Sequence, residues 1–113
     1  MKKNTFLPDS LNKIETQHFI LREETLQYLE REIAEGRWAN VSPIYLVKNS
    51  MWQIGRDTEF MVYNGHHRFL KARKHGLPLA AVIISPVRAY LSNFIPGLIP
   101  KEERCLFDPG NIG

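Results

Sequence analysis

The stretch FMVYNGHHRFLKARKHG, Phe60 to Gly76, reads in two halves. Phe60 to Tyr63 is an apolar, β-prone run, and Phe69, Leu70 and Ala72 supply the apolar side of a helix. Gly76 followed by Leu77 predicts a left-handed C-cap with a hydrophobic closure. Between the halves stand Asn64, Gly65, His66, His67 and Arg68. Helix beginnings normally attract carboxylates, because unpaired backbone N–H groups leave partial positive charge there. Three potentially cationic side chains at that end are unfavourable unless something negative visits.

The chemistry of such a junction follows from its residue types. Gly65 permits close backbone approach and dihedrals that other residues resist. The N–H groups of His66, His67 and Arg68 would open the helix, a ready site for phosphate or another oxyanion. Arg68 adds a planar fork suited to phosphate oxygens. With an unperturbed pKa near 6.5, each histidine is able to donate to an anion when protonated or to act as acid or base when neutral. The plainer alternative is an Asn-Gly turn, a capping histidine, and Arg68 paired with Glu59 or with an acid of the preceding helix. Lys71, Arg73, Lys74 and His75 lie toward the helix C-terminus, where cations complement the dipole and need no ligand.

The surrounding chain gives these elements a setting. REETLQYLEREIAEG carries Leu26, Leu29 and Ile33 at helical spacing, acids in its first turn and Gly36 as a stop. A strand near Ile14 to His18 is expected before it, preceded by an arm of about a dozen residues. SPIYLVKN reads as a strand over Ile44 to Val47. MWQIGRDTEFMVY offers two readings. Either two short strands fold about Gly55, Arg56 and Asp57, or Ile44 to Val47 pairs with Glu59 to Tyr63 across a longer loop. LAAVII, Leu79 to Ile84, is a buried strand, and Val87 to Asn93 a short helix. Pro100 suits the first position of another helix. The end, DPGNIG, is expected to fray or to bind a partner. The order predicts an α+β (α/β-like) fold: a small mixed β-sheet with helices packed on it.

A length of 113 residues suits one domain, 1–113, with a core over about 11–87 and a C-terminal extension over 88–113. The 43% hydrophobic and 24% charged composition is that of an ordinary globular protein, and a net charge of +3 permits an anionic partner without demanding one. The one cysteine, Cys105, excludes an internal disulfide. It has no histidine near it in sequence to make it a nucleophile. Adjacent His66 and His67 diverge, and no carboxylate stands at ligand spacing, so no metal site is expected. Pro8, Asp9 and Asn12 interrupt any leader-like apolar run, and Leu77 to Val87 is too short to cross a bilayer. No membrane association and a cytoplasmic location are the expectation.

With these residues in place, the segment from Arg22 to Ile84 resembles the ParB N-terminal (ParB-like nuclease) domain of the ParB/sulfiredoxin superfamily. The likeness rests on an acidic helix, then PIYLV, a strand ending in a GHHR loop, a helix ending KHGLP, and a final AVII strand. It implies a ParB/sulfiredoxin-like fold and a nucleotide-phosphate site, with CTP or ATP and Mg²⁺ as the expected cofactors. Carried over by position, Asn64, Gly65, His66, His67 and Arg68 would hold phosphate, Asn64 standing where many members carry Asp. Hydrolase or phosphotransferase chemistry would fall to His66 and His67, with Glu23 or Glu15 a weak substitute for the carboxylate that serine-kinase-like members carry just before the first helix. Here that place is His18-Phe19-Ile20. A histidine replaces the reactive loop cysteine of sulfiredoxins, so that activity is not expected. Partition proteins continue into a helix-turn-helix domain, for which this chain leaves no room, so any DNA binding should be weak and sequence-tolerant. Two other functions stay open: a non-enzymatic DNA-associated accessory module of plasmid, phage or chromosome maintenance, and a protein-interaction domain. The second would use the apolar segment YLSNFIPGLIP, which is also the expected route to oligomers.

Overall fold

Ile44 and Leu46 of one strand are fully buried on one side of a sheet, while Tyr45 and Val47 are buried on the other. Burial on both faces is what a central strand shows. In the computed structural model, which describes residues 2–16, 21–48 and 58–101, that strand is the middle of five. The strands are β1 (Lys2–Phe6), β2 (Ile14–Glu15), β3 (Ile44–Lys48), β4 (Phe60–Asn64) and β5 (Leu79–Ile84). Their order is β1-β5-β3-β4-β2. β3 runs parallel to β5 and antiparallel to β4, while β1 is antiparallel to β5 and β2 parallel to β4. The expected mixed sheet is therefore present, with helices α1 (Glu23–Ala34), α2 (His66–His75) and α3 (Pro86–Leu91).

α2 covers one face through Phe69 and Ala72, three residues apart and both fully buried against Ile44, Leu46, Val62 and Ala81. Ala89 of α3 and Ile99 cover the other face with Tyr45, Val47, Tyr63 and Ile84. The helix ends follow the sequence signals. The Ser85 hydroxyl accepts the Arg88 N–H at 3.1 Å to cap α3, with Pro86 in its first turn. α2 ends on left-handed Gly76, with the Leu77 N–H on the Ala72 carbonyl at 2.9 Å.

One expectation is revised and one choice between readings is decided. The first dozen residues are not an arm: Lys2 to Phe6 pair with β5 over their whole length, and Pro8–Lys13 forms a 3-10 turn whose Leu11 is buried. KKNTF carries little apolar signal because it is an edge strand, where lysine and polar residues suit the solvent-facing rim. The sheet thus begins before residue 11, and Ile99 places part of the 88–101 segment in the core. Of the two hairpin readings, β3 with β4 is the one adopted. The Gly55-Arg56-Asp57 turn, His18-Phe19-Ile20, Cys105 and the DPGNIG end lie outside the described residues.

α1 lies beside α2, with its Leu29 only 1% exposed, and a cluster of charge centred on Glu30 joins the two helices. Glu30 accepts from the ammonium of Lys71, a largely buried lysine, and lies 2.9 Å from His75 Nε2 and 3.9 Å from Lys74 Nζ. The hydrogen bonds from Lys71 and His75 hold the Glu30 carboxyl down from an ordinary 4.5 to about 2. A carboxylate more acidic in the folded than in the unfolded chain contributes stability above its unfolded pKa and loses it as pH falls through the folded one. The denaturation midpoint of Glu30→Gln should therefore lie below that of the wild type at pH 6, and the gap should close as pH is lowered from 4.5 to 2. Urea titrations at several pH values measure it; a gap that does not change over that interval would contradict the assignment.

Candidate functional site

The loop after β4 is bent by a register shift in its pairing with β3. Leu46 faces Val62 but Tyr45 faces Asn64, so Tyr63 is the extra residue of a bulge. Gly65 follows with φ of 107°, a left-handed backbone that L side chains rarely adopt. Space also forbids a side chain there, because a Cβ on Gly65 would lie 2.5 Å from Ile44 Cγ2 and 2.6 Å from its Cβ. The backbone penalty is about 1–2 kcal/mol and overpacking adds about 1–3 kcal/mol. Glycine is thus required for the start of α2 to sit directly on β3.

The first bond within α2 runs from the Phe69 N–H to the Gly65 carbonyl, at 2.9 Å. The amides of His66, His67 and Arg68 therefore form the opening turn, where the helix itself supplies no acceptor. No acidic residue stands in that turn. The turn borders a cleft of about 500 Å³ between α2 and α1. Its walls are Asn64 to Arg68 on one side, Val41 and Ser42 at the approach to β3, and Arg22, Thr25, Tyr28 and Leu29 from α1.

Three of the loop side chains are held in place. Arg68 Nη1 donates to the carbonyls of Ser42 and Pro43 at 2.8 and 2.9 Å, so its partners in the structure include backbone oxygens. His66 Nδ1 lies 2.7 Å from Thr16 Oγ1, which ties the loop to the end of β2. His67 Nε2 accepts the backbone N–H of Arg22, the N-cap of α1, at 2.9 Å. A backbone N–H only donates, so His67 Nε2 carries no proton and a neutral ring has its proton on Nδ1. Burial lowers the pKa of both histidines below 6.5. His67 adds to the effect on His66, and the Arg22 and Arg68 charges add to the effect on His67.

All five residues expected to hold phosphate, Asn64 to Arg68, line the one cleft. Glu23 is not among the lining residues. It sits exposed in the first turn of α1 and accepts a bond from Gln27 at 3.3 Å. Glu15 is in β2, half-buried. The cleft lining, among the described residues, contains no carboxylate. Sequence reasoning missed the α1 wall. Arg22, Thr25 and Tyr28 recur every third residue, a stripe beside the Leu26, Leu29 and Ile33 face, and that spacing was its only signal.

No family model matches the chain, and no curated protein does. Among solved structures, it is similar to a C-terminally truncated chromosome-partitioning protein ParB from Caulobacter crescentus, complexed with CTP-gamma-S. The TM-score is 0.54 at 17% identity, over 75% of this chain and 45% of that one. This chain thus spans less than half the length of the solved protein. The likeness establishes the fold, a ParB-like mixed sheet with helices.

Lowered histidine pKa values have a measurable consequence. The unfolded chain binds more protons than the folded one as pH falls through 6.5, so their stabilising contribution is present above that pH and lost through the folded values. Glutamine at position 67 offers an oxygen to the Arg22 N–H and does not titrate. Between pH 7.5 and 5, wild-type stability should fall, and His67→Gln should show a shallower slope by chemical denaturation. Identical slopes would contradict the placement of His67.

Proposed function

We propose that the cleft binds the phosphate end of a nucleoside triphosphate, such as CTP or ATP, through the opening turn of α2. The observation that carries this reading is the steric one at Gly65. The helix start is pressed close to β3, and Gly65 to Arg68 border the same cleft as Arg22. Backbone N–H groups at a helix start, reinforced by cationic side chains and free of acidic ones, form an oxyanion cradle. Asn64 and Gly65 would shape the cradle, and Arg22 and Arg68 would flank the phosphates. The ParB neighbour, solved with CTP-gamma-S, supports the reading by analogy of fold.

Binding without efficient turnover is the form of the reading that the cleft favours. A general base or a metal-holding carboxylate is wanted for phosphoryl transfer, and neither Glu23 nor Glu15 lines the cleft. Mg²⁺ would arrive with the nucleotide and offset its charge, rather than be held by a protein cage. His67 is engaged as an acceptor of the Arg22 N–H, so acid–base work by His67 would require breaking that bond. His66, bonded to Thr16, is the better placed of the two to donate to an incoming anion once protonated.

A second reading rests on a separate observation. Val87, Tyr90, Leu91, Phe94 and Ile95 are exposed around α3 and the segment after it, with the Tyr90 and Phe94 rings edge to face at 5.5 Å. Exposed apolar patches of this kind accompany protein contacts, so an interaction role for this end of the domain is compatible with nucleotide binding at the other site.

Arg22 gives the cleaner test of the first reading, because Arg68 also fastens the approach to β3 and its loss would disturb the fold. Calorimetry with CTP, ATP and inorganic triphosphate should show saturable binding to the wild type. Arg22→Ala should weaken it about tenfold at matched salt, the effect of losing a charge-assisted bond of about 1.5 kcal/mol. Equal affinity in the variant, or no binding by the wild type, would overturn the proposal.

A further inference from the structure

The two walls of the cleft differ in chemistry. One carries the opening turn of α2 with His66, His67 and Arg68; the other, from α1, carries Arg22 at its near end and Thr25, Tyr28 and Leu29 beyond it. Tyr28 is 50% exposed although it sits beside α1's buried Leu29. Its ring has no aromatic or hydrogen-bonding partner among the described residues. It lies six residues beyond Arg22, so about 9 Å separates the two along α1 at 1.5 Å per residue. The Arg22 backbone is held against His67 at the phosphate end, which fixes the direction in which the cleft changes from cationic to aromatic.

A ligand that satisfies both walls has an anionic end and a flat, weakly polar end. The cleft volume of about 500 Å³ is within the range of sites that enclose a small organic molecule, and exceeds what a lone phosphate needs. Resting on the phosphate-binding reading above, we infer that Tyr28 is the platform on which the nucleobase lies, so that the site takes a nucleoside triphosphate in preference to free polyphosphate. Stacking on one face of a base tolerates any base. Tyr28 therefore supplies affinity for the base as a class, while discrimination between cytosine and adenine falls to hydrogen bonds elsewhere.

The test compares CTP, ATP and inorganic triphosphate, each with Mg²⁺, against wild type, Tyr28→Phe and Tyr28→Ala by calorimetry. Tyr28 is half-exposed and its loss should leave the fold intact, checked by circular dichroism. The wild type should bind both nucleotides more tightly than triphosphate. Tyr28→Ala should lose about 5- to 100-fold in nucleotide affinity, the range of base–aromatic stacking, with triphosphate affinity unchanged; Tyr28→Phe should match the wild type. Nucleotide affinity untouched in Tyr28→Ala, or a wild type that binds triphosphate as tightly as nucleotide, would overturn the role of Tyr28 and leave the phosphate cradle standing. Failure of the wild type to bind any of the three would overturn both.

Discussion

Much of the arrangement depends on the contact between Gly65 and Ile44. Ile44 is wholly buried at the start of the central strand, and the backbone of Gly65 rests where a side chain would collide with it. That approach sets where α2 begins, and Phe69 and Ala72 then seal the sheet below. It also brings Arg68 within reach of the Ser42 and Pro43 carbonyls, so one residue of the loop clamps the approach to β3. Core packing and site geometry are thereby the same constraint. A side chain at position 65 would disturb both together.

α1 is joined to α2 at both ends by polar contacts of opposite character. At the far end, Glu30 draws in Lys71 and His75, and the carboxylate is stabilised in its charged form. At the near end, His67 is held neutral by burial and by surrounding cations, and its ring nitrogen takes the Arg22 N–H. The near end is therefore positive in net character yet keeps its histidines uncharged. An anion entering the cleft would reverse that balance, favouring the protonation that burial and the neighbouring cations oppose. Ligand binding and proton uptake are expected to be linked for that reason.

The local elements were largely legible from residue patterns. Leu26, Leu29 and Ile33 marked α1, Gly76 with Leu77 marked the end of α2, and β-branched runs marked β3 and β5. β1 was not legible, because Lys3, Asn4 and Thr5 sit on an edge, while Phe6 contributes to the core. Pairing of β3 with β4 was one of two readings, since periodicity identifies strands but not their partners. The loop residues Asn64 to Arg68 were readable as a group because they are contiguous. Their partners Thr16, Arg22, Ser42 and Pro43 are distant in the chain, and only tertiary packing brings them in. Tyr28 was concealed by its place on an otherwise ordinary amphipathic helix.

The central claim is that the opening amides of α2 receive phosphate. Backbone amide resonances of a ¹⁵N-labelled protein, followed while CTP or inorganic triphosphate is added with Mg²⁺, test it at the atoms concerned. The account predicts large, saturable shifts at His66, His67 and Arg68, with small changes at the distant α3 amides. Resonances of those three residues that stay fixed while shifts saturate elsewhere in the chain would contradict it.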